Sequence, residues 1–252
     1  MTTPLADRLA SLGLHATSQG LSDLIARATK ARWGATELLE HLADEEQKER
    51  GRRSLERRLS RSRLGRFKPM ADYDWGWPRK IDREAVESAL RLDFLEGARN
   101  VVIVAPQGLG KTMIAQNIAH QAVLKGHSAL FVTASQLLLD LGAQDTSRAL
   151  DRRLRHYTSL LVIDEMGYLA YDARNADLLF QVVARRYEQR SLVMTTNLAF
   201  SDWPTIFPNA ACATALIDRV IHHADVLAIE GESYRRREAE EAATTRKVKS
   251  KR

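Results

Sequence analysis

Gly108, Gly110, Lys111 and Thr112 stand together at the end of a short apolar run, Val101-Val102-Ile103-Val104. Residues of these types in this order fit a strand, a phosphate-binding loop and the start of a helix. Backbone N–H groups of such a loop, with the positive end of the helix that follows, form a cradle for polyphosphate. Lys111 is then expected to reach the β and γ phosphates, and the Thr112 hydroxyl to hold a magnesium ion. The contacting stretch is Pro106, Gln107, Gly108, Leu109, Gly110, Lys111, Thr112 and Met113. The usual pattern of the loop is G-x-x-x-x-G-K-[ST], and Ala105 stands in the place of its first glycine. An alanine there is a small change where its φ is negative.

Farther along, Leu160-Leu161-Val162-Ile163 ends in Asp164-Glu165. A carboxylate at the tip of a buried parallel strand reaches the same sheet edge as the phosphate loop, so Asp164 is expected to hold magnesium. Glu165 is placed to orient or deprotonate an attacking water. Leu192 to Thr196 reads as another strand, and the amide of Asn197 at its end can hold that water or the γ phosphate. Arg219, within Ala215-Leu216-Ile217-Asp218-Arg219, and Arg235, after Ser233-Tyr234, are cations able to meet the γ phosphate, one of them from a neighbouring subunit. The adjacent His222 and His223 have no cysteine or carboxylate at metal-ligand spacing, so no zinc site is expected. Magnesium bound with nucleotide is the one metal expected.

These residues need a sheet to bring them together. Five short apolar segments read as strands: Val101–Ala105, Ala129–Ala134, Leu160–Asp164, Leu192–Thr196 and Val226–Ile229. Helical stretches follow the first four, which predicts an α/β domain with a parallel sheet covered on both faces. Asp82 is expected to cap a helix reaching about Leu95. Upstream, Phe67 to Pro78 is rich in aromatic residues and proline and reads as an extended connector on the main domain; Tyr73, Trp75 and Trp77 are not assigned to the adenine base. The first part of the chain reads as three helices: one started by Thr3-Pro4 and carrying Leu5, Leu9 and Leu12, one with Leu21, Leu24, Ile25 and Ala28 on a face, and one with Leu38, Leu39 and Leu42.

The third helix leads into a segment, Lys48 to Lys68, that holds Lys48, Arg50, Arg52, Arg53, Arg57, Arg58, Arg61, Arg63, Arg66 and Lys68 against only Glu49 and Glu56. Such density gives sequence-independent attraction to phosphate backbones, and Arg50, Arg53, Arg57, Arg58 and Arg61 are the expected DNA contacts; the alternative is a solvated helix face. The 252-residue chain carries a net charge of +6, in keeping with an acidic partner. Its one cysteine, Cys212, permits no intrachain disulfide and fits a reducing compartment. The absence of a basic N-terminal region with a continuous apolar segment, or of a long apolar run, leads to the expectation of a cytoplasmic protein without a membrane partner. The expected organisation is a small all-helical domain over 1–68, a connector over 69–81, the main domain over 82–237, and a charged, disordered tail over 238–252.

The chain resembles the IstB-like transposition helper ATPases, relatives of the DnaC-type helicase loaders within the AAA+ superfamily. The resemblance rests on APQGLGKT (105–112), LLVIDEMGYL (160–169), ADLLFQVVARRYEQRSLVMTTNLAFSDW (176–203) and ALIDRVIHHADVLAIEGESYRRR (215–237). It implies an AAA+ P-loop NTPase core with a five-stranded parallel sheet and ATP, with Mg2+, at a subunit interface. Lys111 and Thr112 then match the first nucleotide motif (Walker A), Asp164 and Glu165 the second (Walker B), and Asn197 the first sensor. Arg219 resembles the finger that acts on a neighbour's ATP, and Arg235 the second sensor. The departures are Ala105, and Ala170-Tyr171 where relatives often have proline and leucine. The resemblance further implies a homo-oligomer, ring or filament, that assembles on double-stranded DNA in the nucleoid with ATP bound and serves a partner transposase. Two other readings stay open: a loader of a replicative helicase, and a nucleotide-gated DNA scaffold with little hydrolysis.

Overall fold

The computed structural model describes residues 4–157, 160–168 and 170–238. The chain forms two compact units, residues 1–57 and residues 58–252. Helices α1 (Leu5–Ser11), α2 (His15–Ala31) and α3 (Ala35–Ser62) open the chain, and the division falls inside α3. The expected Thr3 cap lies outside the described residues; Pro4 precedes α1 directly. Within the smaller unit, Leu24 is buried, whereas Ile25 and Leu39, expected on apolar faces, are exposed. A buried carboxylate ties α3 to the start of α2: Glu46 Oε2 accepts the N–H groups of Ala16 (3.1 Å) and Thr17 (3.2 Å). These are donors that the first turn of a helix leaves without intrahelical partners, and a negative charge suits that end.

The larger unit is an α/β layer structure. Its sheet holds β1 (Asn100–Val104), β2 (Ala129–Thr133), β3 (Leu160–Met166), β4 (Leu192–Thr196) and β5 (Ala224–Ala228), in the order β2-β3-β4-β1-β5, all parallel. Each expected strand is present, and all but β4 differ in extent. β1 begins and ends one residue earlier, β2 ends one residue earlier at Thr133, β3 runs two residues past Asp164, and β5 ends at Ala228 and begins at Ala224 because it follows the register of β1 from Asn100. The expected helix from Asp82 to Leu95 is shorter. Asp82 does cap it, accepting the Ala85 N–H at 3.0 Å, but α4 (Arg83–Arg91) stops where Leu92 turns left-handed, and a 3-10 turn covers Asp93–Leu95.

Helices α5 (Lys111–Leu124), α6 (Ala134–Gly142), α7 (Ser147–His156), α8 (Ala173–Arg186) and α9 (Ala210–Ile221) complete the unit. Every residue of β4 is buried, the mark of a strand covered on both faces, and α5 sinks Ile114, Ala115, Ile118, Ala122 and Val123 into the core. Residues 234–238 form a last helical turn; of the expected tail, 239–252 lie outside the described residues. Among the described residues no helix is long and apolar enough to cross a membrane.

Candidate nucleotide site

The strand order sets the site. β4 lies between β3 and β1, so the ends of three neighbouring strands bring Asp164, Asn197 and the loop after Val104 to one edge of the sheet. Ligands of open α/β sheets bind at this carboxyl edge. The loop turns on Gly108 (φ +81°) and Gly110 (φ +84°), a left-handed conformation that glycine takes without steric cost. Gly110 caps α5, whose first residue is Lys111, so the helix N-terminus opens into the loop. Ala105 is buried, and it is absent from the positive-φ residues; its N–H donates to Thr196 O at 3.1 Å. No left-handed turn is needed at this position, so the substitution of the first glycine leaves the backbone unstrained.

Lys111 Nζ donates to the carbonyls of Ala105 (2.6 Å) and Pro106 (2.8 Å), which aims the ammonium across the mouth of the loop. Partial burial lowers its pKa from the ordinary value; Asp164 opposes this, Arg235 adds to it, and Glu165 opposes it. These charges therefore share one locus. The Thr112 hydroxyl lies 3.2 and 3.0 Å from Asp164 Oδ1 and Oδ2. Asp164 is buried and also accepts the Thr195 hydroxyl through Oδ1. That hydroxyl in turn accepts the Glu165 N–H at 3.0 Å.

Register explains the difference between the two carboxylates. The pairing of β3 with β4 shifts between Ile163 and Met166, so an extra residue bulges out opposite Thr195. Glu165 takes up the bulge at φ +60° and is exposed, while Asp164 points inward. A left-handed glutamate costs about 1–2 kcal/mol relative to ordinary backbone, a strain that tends to persist at functional sites. Asn197 is exposed at the end of β4.

A cavity of about 320 Å3 adjoins the loop, lined by Tyr73, Trp77, Gly110, Met113, Tyr234 and Arg235 among others. The aromatic connector, which sequence reasoning left outside the site, therefore forms one of its walls. Asn117 on α5 holds it there. Its amide donates to Lys68 O at 2.9 Å and accepts the Met70 N–H at 3.1 Å. Tyr73 then crosses the loop, its hydroxyl donating to Leu109 O at 3.1 Å, and burial raises its pKa to about 12. Trp77 Nε1 donates to Glu232 O at 2.8 Å, and the ring meets Tyr234 edge-on. The Tyr234 N–H donates to Gly108 O at 3.0 Å, joining the last helical turn to the phosphate loop.

Arg235 thus belongs to the cavity, and Arg219 does not. Arg219 lies over the Phe180 ring, 4.7 Å from its centroid, and donates to Ala215 O at 3.0 Å. The basic segment is unevenly committed. Arg50 donates to Gly13 O at 3.2 Å and pairs with Glu46, and Arg53 pairs with Glu49 at 2.7 Å. Arg58 donates to Val123 O at 3.2 Å, whereas Arg57 and Arg61 are exposed.

The family model for IstB-like ATP binding protein matches residues 7–242. The chain is 34% identical over 241 residues to the ATP-binding protein of insertion sequence IS21 from Pseudomonas aeruginosa, covering 95% of this chain and 91% of that one. It is 35% identical over 205 residues to the ATP-binding protein of insertion sequence IS5376 from Geobacillus stearothermophilus, covering 81% and 82%. Among solved structures, the DnaC helicase loader aligns with a TM-score of 0.51 at 19% identity over 64% of this chain and 97% of that one. DnaI aligns at 0.54 with 18% identity over 66% and 92%. At these identities the structural likeness bears on the fold alone, a five-stranded parallel sheet with flanking helices. The phosphate loop, the Asp164 strand and the match along nearly the whole chain agree: the protein belongs to the IstB-like ATP-binding family.

Proposed function

We propose that this chain is a magnesium-dependent ATPase that assembles on duplex DNA with ATP bound, presents that DNA to a partner transposase, and lets go on hydrolysis. The observation that carries the reading is the hydrogen-bonded group Thr112, Asp164 and Thr195 beside Lys111, at the mouth of a glycine-turned loop. Thr112 and Asp164 offer the hard oxygen donors that suit magnesium, and the two positive-φ glycines let the loop turn tightly into the N-terminus of α5, an end that suits phosphate. Magnesium bound with ATP would supply charge neutralisation at the phosphate oxygens.

In this reading Lys111 holds the β and γ phosphates, and Tyr73 and Trp77 wall the remainder of the nucleotide. Glu165, turned outward by the bulge, takes a proton from the attacking water, and Asn197 orients that water from the next strand. Arg235 senses the γ phosphate within the subunit. Arg219, turned away from its own site, serves a neighbour's ATP in a ring or filament. DNA is held by the basic helix, chiefly through exposed Arg57 and Arg61. Residues 1–68 supply DNA and partner contacts, 69–81 the connector, 82–237 the ATPase and 238–252 a charged tail, in a cytoplasmic, nucleoid-associated protein. Relatives encoded by insertion sequences support the transposition context.

Electron microscopy of the full chain with duplex DNA tests the reading. Assemblies enclosing DNA are expected with ATP and lost after hydrolysis; identical assemblies without nucleotide would overturn it.

A further inference from the structure

At the opposite edge of the sheet, where β4 and β5 begin, the structure brings a distant carboxylate to two adjacent histidines. His222 and His223 follow α9, and Glu188 follows α8, 35 positions before His223. One ligand atom from each lies within 4.8 Å of the others, and all three residues are exposed. We propose that Glu188, His222 and His223 form a binding site for a borderline-soft divalent cation, zinc above all.

The donor set is two imidazoles and one carboxylate, which suits zinc and leaves a fourth position for water. It differs from the all-oxygen group at Thr112 and Asp164, which suits magnesium. The spacing also fits. Metal–ligand bonds of about 2.0–2.1 Å at a tetrahedral angle put two ligand atoms roughly 3.3 Å apart, and His223 Nε2 already lies 3.2 Å from Glu188 Oε1. A cation between them replaces that contact, and His222 closes the set by turning its ring.

Two further features organise the cluster. The Tyr187 hydroxyl lies 2.6 Å from His222 Nδ1; in the tautomer that carries its proton on Nδ1 the tyrosine oxygen accepts it and Nε2 is left to ligate, the kind of outer partner that orients metal-binding histidines. Glu188 takes φ +56°, a left-handed backbone that a non-glycine residue adopts only against steric cost, and this turn brings its carboxylate to the histidines. The backbone behind the site is anchored, since the Asn100 N–H donates to His223 O at 2.7 Å. A bound cation would join the ends of α8 and α9.

Titration of the untagged, nucleotide-free full chain with zinc, read by competition with a chromogenic chelator, tests the site. One zinc per chain is expected for the wild type. His222→Asn/His223→Asn should lose it, and Glu188→Gln should bind at least tenfold more weakly, with unchanged circular dichroism in each case. Cobalt in place of zinc should give the intense visible absorption of a four-coordinate site in the wild type alone. Stoichiometric zinc retained by the double histidine variant, or no zinc bound by the wild type, overturns the proposal.

Discussion

The Thr195 hydroxyl donates to Asp164 Oδ1 and at the same time accepts the N–H of Glu165. A single side chain on β4 thereby holds the buried carboxylate in place and supports the bulge that turns the next one outward. Thr195→Val keeps shape and volume but removes both bonds. The Glu165 N–H loses its acceptor, and Asp164 keeps only Thr112 of these two hydroxyls, so stability should fall by ~1–3 kcal/mol. ATP turnover should fall by more than ATP affinity, because the hydroxyl positions groups around the reacting end. Urea melts together with kcat and KM check this; an unchanged kcat removes Thr195 from the positioning of the site.

Glu165 offers a separation of strain from chemistry. Glu165→Gln should retain ATP binding and lose turnover by about 10²-fold or more, since proton transfer by a placed side chain contributes on that scale. Glu165→Gly should lose turnover equally. Its stability should stay within ~1 kcal/mol of the wild type, because relief of the left-handed strain offsets the entropy cost of glycine. Normal turnover in either variant would remove Glu165 from the mechanism.

Much of this site is legible in the chain because its residues terminate strands. An apolar run followed by a glycine turn, or by Asp-Glu, or by Asn, states both an element and a residue at its tip, and parallel pairing then fixes where the tips meet. Asp164, Asn197 and the loop lie on neighbouring strands for that reason. Thr195 was not legible, because within an apolar strand a threonine is an ordinary β residue and only the bulge opposite gives it a task. Tyr73 was hidden differently. Its place over the loop depends on the Asn117 amide, which grips the connector backbone from α5, and no local pattern announces a side-chain clamp on an extended segment. Glu188 meets His223 only because α8 and α9 end at one edge of the sheet.

The loop glycines and Ala105 should respond in opposite ways. A Cβ at Gly110 would lie 2.6 Å from Tyr73 Cε2 and would sit on a left-handed backbone. Gly110→Ala should therefore weaken ATP binding at least tenfold, and adding Tyr73→Ala should restore part of it by removing the clash but not the strain. Ala105→Gly should leave turnover within about twofold while lowering stability by ~0.5–1 kcal/mol through glycine entropy. Equilibrium nucleotide binding and thermal melts decide both. A large gain in turnover for Ala105→Gly would mean that the alanine restrains the loop after all.

Arg219 lies over Phe180 and outside the cavity that holds Arg235. If it completes a neighbour's site, Arg219→Ala and Lys111→Ala subunits should each be inactive alone. Mixed, they should form interfaces with an intact loop from one subunit and an intact arginine from the other. ATPase activity at intermediate ratios should then exceed that of either variant. No rescue at any ratio would return Arg219 to a role within its own helix.

The basic helix divides into arginines that are occupied and arginines that are exposed. Arg53 is paired with Glu49, while Arg57 and Arg61 face solvent. Each phosphate contact releases condensed counterions and contributes about 0.9 to the slope of log affinity against log salt on duplex DNA. Arg57→Gln/Arg61→Gln should therefore reduce that slope by about 1.8 and weaken binding at low salt far more than at high salt. Arg53→Gln removes a cation already neutralised by Glu49, a carboxylate that Arg52 goes on holding, so it should weaken binding with a smaller change in slope. Fluorescence anisotropy over a salt series separates the two outcomes. If the slope is unchanged in the Arg57/Arg61 pair, the helix face is merely solvated and DNA must be held elsewhere.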